Sequence, residues 1–235
     1  MLEKLIENYQ PNRNKVNDLT EAKIALLVGI SGAGKDTIKR ALLQTDDFYN
    51  LISHTTRQPR VNNGVLEQDG IEYYFIDQPE AITMLQKGEF IEAKVYSGNV
   101  YGTSFSGISA ALEAGQVAIN DVEVQGVDEY KMLLPQTKAI FILPPDFTQW
   151  RERLSKRYQT TEEFTEQWPS RRDTAIAELR HALKVPYYHF VINDNLDQAV
   201  RVIREIALGA DTFNRKDDEA RLLARDILES IEKHS

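Results

Sequence analysis

The residues IALLVGISGAGKDTIKRALLQ, at positions 24–44, carry the clearest structural signal in this chain. The apolar run at 24–28 is typical of a strand buried on both faces, and the glycine-rich turn after it leads into a segment with helical spacing. This order of strand, turn and helix is that of a phosphate-binding loop, in which Gly29, Gly34 and Lys35 occupy the characteristic positions. Glycines let the backbone wrap around phosphate oxygens, while N–H groups and the lysine supply positive charge. We therefore predict a site for the phosphates of a nucleoside triphosphate.

The residue after Lys35 departs from the common pattern of such loops. That position usually holds a Ser or Thr hydroxyl that binds Mg²⁺, whereas here it is Asp36, and the hydroxyl follows at Thr37. Asp36 can hold Mg²⁺ through water or point away from the phosphates, and we favour the second alternative. An ordinary glycine-rich turn is the other interpretation of the segment, but the strand, the lysine and the helix together favour a phosphate site.

Three later apolar runs predict further buried strands. They are VAIND (117–121), KAIFIL (138–143) and YHFVIN (188–193). The helical stretches that alternate with them are 104–114, 146–157 and 171–183. This alternation predicts an α/β fold with a parallel sheet flanked by helices.

Composition limits the class of protein. The chain has 235 residues, 42% of them hydrophobic, and its formal net charge of −8 argues against an overall basic nucleic-acid binder. The sequence contains no Cys, so disulfides, thiolate zinc sites and thiol nucleophiles within it are excluded. No stretch approaches the roughly 18 uninterrupted apolar residues of a membrane span. We expect no nucleic-acid or membrane partner and a cytoplasmic location.

A second motif, SHTTRQPR at 53–60, is followed by Glu67 and Tyr73. Arg57 and Arg60 with a nearby phenol can surround one monophosphate with charge-assisted and bidentate hydrogen bonds. Solvated surface charge is the alternative for these arginines, and the phosphate loop elsewhere in the chain argues against it. The motif closely resembles the guanylate kinase signature S-x-T-T-R-x-P-R…E-x-x-G-x-x-Y.

Further segments resemble the same family in the same order, over about residues 22–209. They are FIE (90–92), SGNVYGT (97–103), DVEVQG (121–126), FILPP (141–145), RERLSKR (151–157), SRRDTAIAEL (170–179) and VINDNLD (191–197). The chain departs from the family pattern at Glu123, where Asp is usual, at Tyr158, where Gly is usual, and at Trp168-Pro169, which is intrusive.

The resemblance implies a P-loop nucleoside-monophosphate kinase that transfers the γ-phosphoryl group of ATP to GMP, with Mg²⁺ as cofactor. The residues it implies for ATP are Gly29, Ser31, Gly32, Ala33, Gly34, Lys35, Asp36, Thr37 and Asn193. Those for GMP are Ser53, Arg57, Arg60, Glu67, Tyr73, Glu92, Tyr101, Thr103, Asp121 and Glu123. The implied catalytic residues are Lys35, Arg153, Arg157 and Arg171. The implied metal ligands are Thr37 and Asp121, through water.

The guanine base explains why a carboxylate and two hydroxyls are expected together. Guanine presents N1–H and N2–H₂ as adjacent donors and O6 as an acceptor, so a carboxylate opposite hydroxyls is the minimal pocket that prefers it to adenine. Glu92 fits the carboxylate, and Ser53 and Thr103 fit the hydroxyls. Taken alone, Glu92 would more often be a surface acid.

The predicted organisation has three parts: an N-terminal arm (1–22), a kinase-like domain (23–209) and a C-terminal amphipathic helix (210–235) that packs on the core. Asp217 or Asp218 is the predicted cap of this helix. Within the domain we predict a core of 23–49, 104–145 and 175–209, a small, partly β GMP-binding subdomain at 50–103, and a lid at about 146–174.

Two other functions stay open at this point. A related kinase acting on ribose 1,5-bisphosphate would keep the phosphate loop but would not need Glu92 with Ser53. A non-catalytic guanylate-kinase-like binding module commonly has a degraded phosphate loop, whereas Lys35 and its glycines are intact here. A homodimer is compatible with the sequence, and the longer loop at 61–66 is a feature that can relax acceptor specificity.

Overall fold

The computed structural model describes residues 2–62, 64–209 and 215–234 of the chain. Its strands are β1 (Ile24–Val28), β2 (Phe48–Asn50), β3 (His54–Thr55), β4 (Val61–Asn62), β5 (Val65–Leu66), β6 (Tyr74–Phe75), β7 (Phe90–Tyr96), β8 (Asn99–Ser104), β9 (Val117–Asp121), β10 (Lys138–Leu143) and β11 (Tyr188–Ile192). Its helices are α1 (Leu2–Glu7), α2 (Arg13–Asn17), α3 (Lys35–Leu42), α4 (Gln78–Gln86), α5 (Phe105–Glu113), α6 (Val124–Leu133), α7 (Phe147–Ser155), α8 (Thr161–Lys184), α9 (Leu196–Leu208) and α10 (Arg215–Lys233). None of the described helices combines the length and the apolar composition that crossing a bilayer requires.

The main sheet is parallel and contains all four strands that the apolar runs predict. Its strand order is β11-β10-β1-β9-β2. Every residue of β1 is buried, which explains why its sequence is a continuous apolar run. The predicted α/β fold is therefore confirmed. No pattern in the sequence predicted β2, because three residues give too little periodicity to recognise.

The chain divides into two compact units. The first contains residues 1–24, 47–120 and 128–137. The second contains residues 25–46, 121–127 and 138–235. The predicted boundaries of arm, core, subdomain and lid stay a prediction.

In the first unit, a smaller sheet accounts for the partly β texture of the sequence. Its strand order is β6-β3-β8-β7, so β7 lies at an edge. The β7 and β8 strands pair antiparallel, and their register shifts between Phe90 and Glu92. Within the longer loop at 61–66, β4 and β5 pair antiparallel, with Val61 opposite Leu66.

In the second unit, α8 is longer than the sequence indicated. It spans 24 residues from Thr161 and runs through Pro169, whereas the periodicity predicted a start near 171. The ring of Trp168, beside the proline, lies 5.5 Å from that of Trp150 and 5.7 Å from that of Phe164. This aromatic packing favours a continuous helix despite the N–H group that proline lacks.

The C-terminal helix α10 covers the open edge of β11. Asp217 Oδ1 accepts the N–H of Phe190 at 2.7 Å, and Arg221 donates to the carbonyl oxygen of Tyr188 at 2.8 Å. The guanidinium carbon of Arg221 also lies 4.7 Å from the centre of the Phe190 ring. These side chains satisfy backbone groups that an edge strand otherwise leaves unpaired.

The expected packing of α10 on the core is confirmed, but its expected cap is wrong. Of the three apolar positions in the amphipathic pattern, Ile227 and Ile231 are buried and Leu223 is half-buried. The helix begins at Arg215, so the two aspartates that follow lie in its first turn. Asp217 bonds to β11 instead of capping the helix.

We predict that Asp217→Ala lowers the free energy of unfolding by about 1–3 kcal/mol, because it leaves the N–H of Phe190 without its charged acceptor. Denaturant unfolding followed by circular dichroism measures this loss. Asp218→Ala is the matched control, since Asp218 lies in the same turn and is exposed. Equal losses in the two variants would mean that only the helix dipole is involved.

Candidate active site

The phosphate loop joins β1 to α3 as predicted, and its glycines adopt positive φ angles. These are 140° at Gly29, 89° at Gly32 and 97° at Gly34. A Cβ atom on Gly29 would overlap the carbonyl oxygen of Ile142, and one on Gly34 would overlap the side-chain amide of Asn193. Positions 29 and 34 therefore admit only glycine.

Side chains from later in the chain hold this loop in place. Trp150, which is fully buried, donates from Nε1 to the carbonyl oxygen of Ser31 at 2.8 Å. Asn193 donates from Nδ2 to the carbonyl oxygen of Ala33 at 2.8 Å. The main-chain carbonyl oxygen of Asn193 accepts a hydrogen bond from Arg153 at 3.1 Å. Asn193 thus braces the loop, and its contact with the ATP base stays a prediction. Trp150 was not predicted to hold the loop, because it belongs to no motif.

Lys35 is the first residue of α3, and its ammonium group reaches back to the loop. Its Nζ donates to the carbonyl oxygen of Gly29. Burial lowers the pKa of Lys35, while the carboxylates of Glu178 and Asp121 act in the opposite direction. A partly desolvated ammonium attracts phosphate more strongly than one in bulk water.

The loop opens into a cavity of about 810 Å³, a volume within the range of small-molecule sites. The predicted residues that line it are Gly29, Ser31, Gly32, Gly34, Lys35, Asp36, Thr37, Asp121, Glu123, Arg153, Arg157, Arg171 and Asn193. Ala33 is buried beneath the loop surface. The structure therefore brings the predicted ATP, metal and catalytic residues of this unit together.

Two arginines of the predicted lid have hydrogen-bond partners in or beside the loop. Arg157 donates to Ser31 Oγ at 2.7 Å and lies 3.5 Å from the carboxylate of Asp36. Arg171 donates from Nε to the hydroxyl of Tyr158 at 2.9 Å. Tyr158, which departs from the family pattern, thus gives Arg171 a hydrogen-bond partner.

Five carboxylates line the same cavity, and they are Asp36, Asp121, Glu123, Glu178 and Asp194. Asp121 pairs with Lys39, with Oδ1 and Nζ 2.8 Å apart. Burial alone would raise the pKa of Asp121, but the ammonium groups of Lys39 and Lys35 lower it below its ordinary value. Burial raises the pKa of Glu178 to about 7, with Lys35 opposing the shift and Glu123 adding to it. No role was predicted for Lys39 or Glu178, although Glu178 falls within the SRRDTAIAEL motif (170–179).

The donor set at the cavity fits a magnesium ion that depends on its nucleotide. The Thr37 hydroxyl and the Asp121 carboxylate are oxygen ligands of the kind that Mg²⁺ prefers. Among the described residues, however, no group of three or more His, Asp or Glu side chains could hold a metal by itself. Most of the ligands of such an ion would be phosphate oxygens and water.

In the other unit, Arg57 and Glu67 form a buried bidentate ion pair. Their hydrogen bonds measure 2.8 and 3.1 Å, and the two side chains are 8% and 7% exposed. Glu67 also accepts the main-chain N–H of Arg60 at 2.9 Å. The ring of Tyr73 lies 5.3 Å from the Arg57 guanidinium and 5.9 Å from the ring of Tyr101. Glu67 therefore orients Arg57, and its direct contact with GMP stays a prediction.

The predicted carboxylate and its two hydroxyls form one hydrogen-bonded chain. Thr103 Oγ1 donates to Glu92 Oε1 at 2.9 Å and lies 3.0 Å from Ser53 Oγ. Burial raises the pKa of Glu92, which the hydrogen bond from Thr103 partly offsets. The arrangement presents a carboxylate beside hydroxyls, as guanine requires.

The model of the guanylate kinase family matches residues 21–208. This chain belongs to the guanylate kinase family. It is 40% identical over 186 residues to the guanylate kinase of Thiobacillus denitrificans, which covers 77% of this chain and 84% of the relative. It is 36% identical over 197 residues to that of Clostridium perfringens strain SM101, which covers 83% and 87%. The crystal structure of guanylate kinase from Anaplasma phagocytophilum shares the fold, with a TM-score of 0.58 and 23% identity over 89% of this chain and 94% of that one.

We predict a pH-dependent stabilisation by Glu178→Gln. Because the folded pKa of Glu178 is raised, its protonated form stabilises the fold, and this contribution is lost as the pH rises from its ordinary pKa through about 7. Glutamine mimics the protonated form. The unfolding free energy of the Glu178→Gln variant, relative to that of the wild type, should therefore increase by about 1–3 kcal/mol between pH 5 and pH 8. Glu166→Gln, an exposed site on α8, should show no such trend.

We predict that Asp36→Ala and Asp36→Ser change turnover and its Mg²⁺ dependence by less than about tenfold, or ~1.4 kcal/mol. The reason is that Asp36 pairs with Arg157 while both side chains are more than half exposed, so the pair contributes little. Steady-state kinetics over a Mg²⁺ titration measure the effect. A loss of roughly a hundredfold that added Mg²⁺ restores would place Asp36 in the metal site.

Proposed function

We propose that this chain transfers the γ-phosphoryl group of ATP to GMP and forms ADP and GDP. The hydrogen-bonded chain of Glu92, Thr103 and Ser53 carries this proposal, because it selects guanine in a protein that also has an intact phosphate loop. An oxygen of the GMP phosphate forms a bond to the γ-phosphorus of ATP. The bond from that phosphorus to the β,γ-bridging oxygen breaks, and its electron pair leaves on ADP.

The phosphate cavity supplies the charge that such a transfer needs. Phosphoryl transfer requires positioning and neutralisation of the charge on the transferred group. Lys35, Arg153, Arg157 and Arg171 line one cavity with the helix N-terminus, so their positive charges converge on the space beside the loop. These residues stabilise the transition state more than they bind ATP in its ground state.

The acceptor phosphate binds to Arg57, Arg60, Tyr73 and Tyr101. Glu67 holds Arg57 by its bidentate pair, which fixes the plane of the guanidinium before GMP arrives. The other N–H groups of Arg57 and the phenols of Tyr73 and Tyr101 then face a single phosphate. A preoriented site avoids the entropic cost of ordering Arg57 when GMP binds.

The guanine base binds to Glu92, whose carboxylate accepts from N1–H and N2–H₂. Burial raises the pKa of Glu92, and the paired donors of guanine favour its ionised form. Adenine presents an acceptor at N1, which would face the carboxylate and leave both groups unpaired. The pocket therefore prefers GMP to AMP.

Mg²⁺ would be held by Thr37 and Asp121 through water, together with the phosphates of ATP. When bound, it neutralises charge on the β- and γ-phosphates. Asp121 stays ionised because of Lys39, and it can therefore orient metal-bound water. We place the activity in the cytoplasm, because both substrates are intracellular nucleotides.

We predict that Glu92→Gln lowers kcat/KM for GMP by on the order of 2–4 kcal/mol in transition-state binding, while the KM for ATP changes little. The amide presents a donor to guanine donors, so one of them is left unpaired. A coupled assay of ADP release with GMP, dGMP, AMP, UMP and ribose 1,5-bisphosphate measures both constants. Lys35→Ala should remove most turnover with every acceptor.

Glu113→Gln is the matched control for Glu92→Gln. Glu113 is an exposed carboxylate at the end of α5 in the same unit. Its change should leave acceptor selection intact. Turnover of ribose 1,5-bisphosphate above that of GMP would favour the related sugar-phosphate kinase. Absence of turnover with every acceptor, despite GMP binding, would favour a binding module.

A further inference from the structure

The N-terminal arm reaches the smaller sheet through one side chain, Tyr9. The hydroxyl of Tyr9 accepts the main-chain N–H of Phe90 at 2.8 Å and donates to the carbonyl oxygen of the same residue. Nearby, the N–H of Asn12 donates to the carbonyl oxygen of Gly88 at 3.0 Å. A Cβ atom on Gly88 would come within 2.7 Å of the main-chain N of Asn12, so the arm packs closely against this segment. The arm precedes the range that matches the family model, residues 21–208.

Tyr9 takes the place of a neighbouring strand at this point. Phe90 begins β7, which lies at the edge of its sheet. On the opposite side of the chain, Glu89 accepts the N–H of Phe105 at 3.0 Å. Backbone groups of successive residues alternate in direction along a strand, so those of Phe90 face away from the sheet. One hydroxyl satisfies both of them, which an edge strand otherwise leaves to water.

The position of this contact matters because β7 is irregular there. The register of β7 against β8 shifts between Phe90 and Glu92, after which Glu92 lies opposite Thr103. A β-bulge re-aims the side chains that follow it and is held by the contacts around it. Glu92 is the residue that the bulge aims at Thr103, with a hydrogen bond of 2.9 Å.

The Tyr9 contact does not depend on pH over the physiological range. Burial raises the pKa of Tyr9, although the hydrogen bond to Phe90 acts in the opposite direction. The phenol therefore stays a donor as well as an acceptor. Phenylalanine at this position would keep the ring and lose both hydrogen bonds.

We propose that Tyr9 is a positioning residue for guanine recognition: it pins the β-bulge at Phe90 and so fixes the direction of the Glu92 carboxylate. The proposal rests on the role of Glu92 in the proposed function. It assigns the arm to selection of the acceptor base and not to binding of ATP. This positioning role does not require Tyr9 to contact GMP.

The test is Tyr9→Phe, assayed with GMP and with inosine monophosphate, which lacks the 2-amino donor of guanine. We expect kcat/KM for GMP to fall by about three- to tenfold, or roughly 0.7–1.4 kcal/mol, because Phe90 loses both hydrogen bonds and the bulge before Glu92 is held less firmly. The kcat/KM for inosine monophosphate should fall less, so the ratio of kcat/KM for GMP to that for inosine monophosphate should decrease. The KM for ATP should stay within about twofold of the wild type.

Tyr96→Phe is the matched control, since Tyr96 ends the same strand and is 72% exposed. It should leave both acceptors unchanged. A purely structural role for Tyr9 would lower the melting temperature and reduce turnover of both acceptors equally. That equal loss, or an unchanged ratio between them, would overturn the proposal.

A double-mutant cycle separates this proposal from the proposed function. If Tyr9 acts through Glu92, adding Tyr9→Phe to Glu92→Gln should cause little further loss of GMP selection. Additive losses would overturn the positioning role. If Glu92→Gln alone leaves acceptor selection unchanged, the proposed function of Glu92 is wrong. If Glu92→Gln has its expected effect and Tyr9→Phe has none, only the role of Tyr9 is wrong.

Discussion

The side-chain amide of Asn193 donates to the carbonyl oxygen of Ala33 and fills the space where residue 34 would carry a Cβ atom. This close approach joins the end of β11 to the phosphate loop, and only glycine at position 34 permits it. The main-chain carbonyl oxygen of Asn193 also accepts a hydrogen bond from Arg153, so the same residue positions an arginine of the predicted lid. The shape of the phosphate cavity therefore depends on where β11 ends.

Both appended segments cover the open edge of a strand that leads to functional residues. The C-terminal helix bonds to Tyr188 and Phe190 of β11, just before Asn193. The N-terminal arm bonds to Phe90 of β7, just before Glu92. Unpaired backbone groups at a sheet edge are costly when buried and invite pairing with other chains. In each case a polar side chain satisfies them where a further strand would otherwise be needed.

The acceptor residues show how buried charge is made tolerable. A guanidinium removed from water is costly unless it is paired and hydrogen-bonded. Glu67 provides Arg57 with an opposite charge and with two hydrogen bonds. The same pair makes Glu67 a residue that orients Arg57, whereas its place in the motif had suggested contact with the substrate. Arg171 in the other unit, by contrast, is exposed, and its partner Tyr158 is uncharged.

The sequence by itself determined the parts whose chemistry has a local signature. A strand buried on both faces needs a continuous apolar run, and a phosphate loop needs glycines at fixed spacing, so β1 and the loop were predicted from residues 24–44. The trio of Glu92, Thr103 and Ser53 was predicted from its resemblance to a family, and its hydrogen bonds agree. The start of α8 was misjudged, because Pro169 argues locally against a helix that aromatic packing sustains. Only the tertiary structure revealed the parts played by Tyr9, Trp150, Glu178 and Asp217. Their partners lie far away in the chain, and such contacts leave no periodicity or spacing to read.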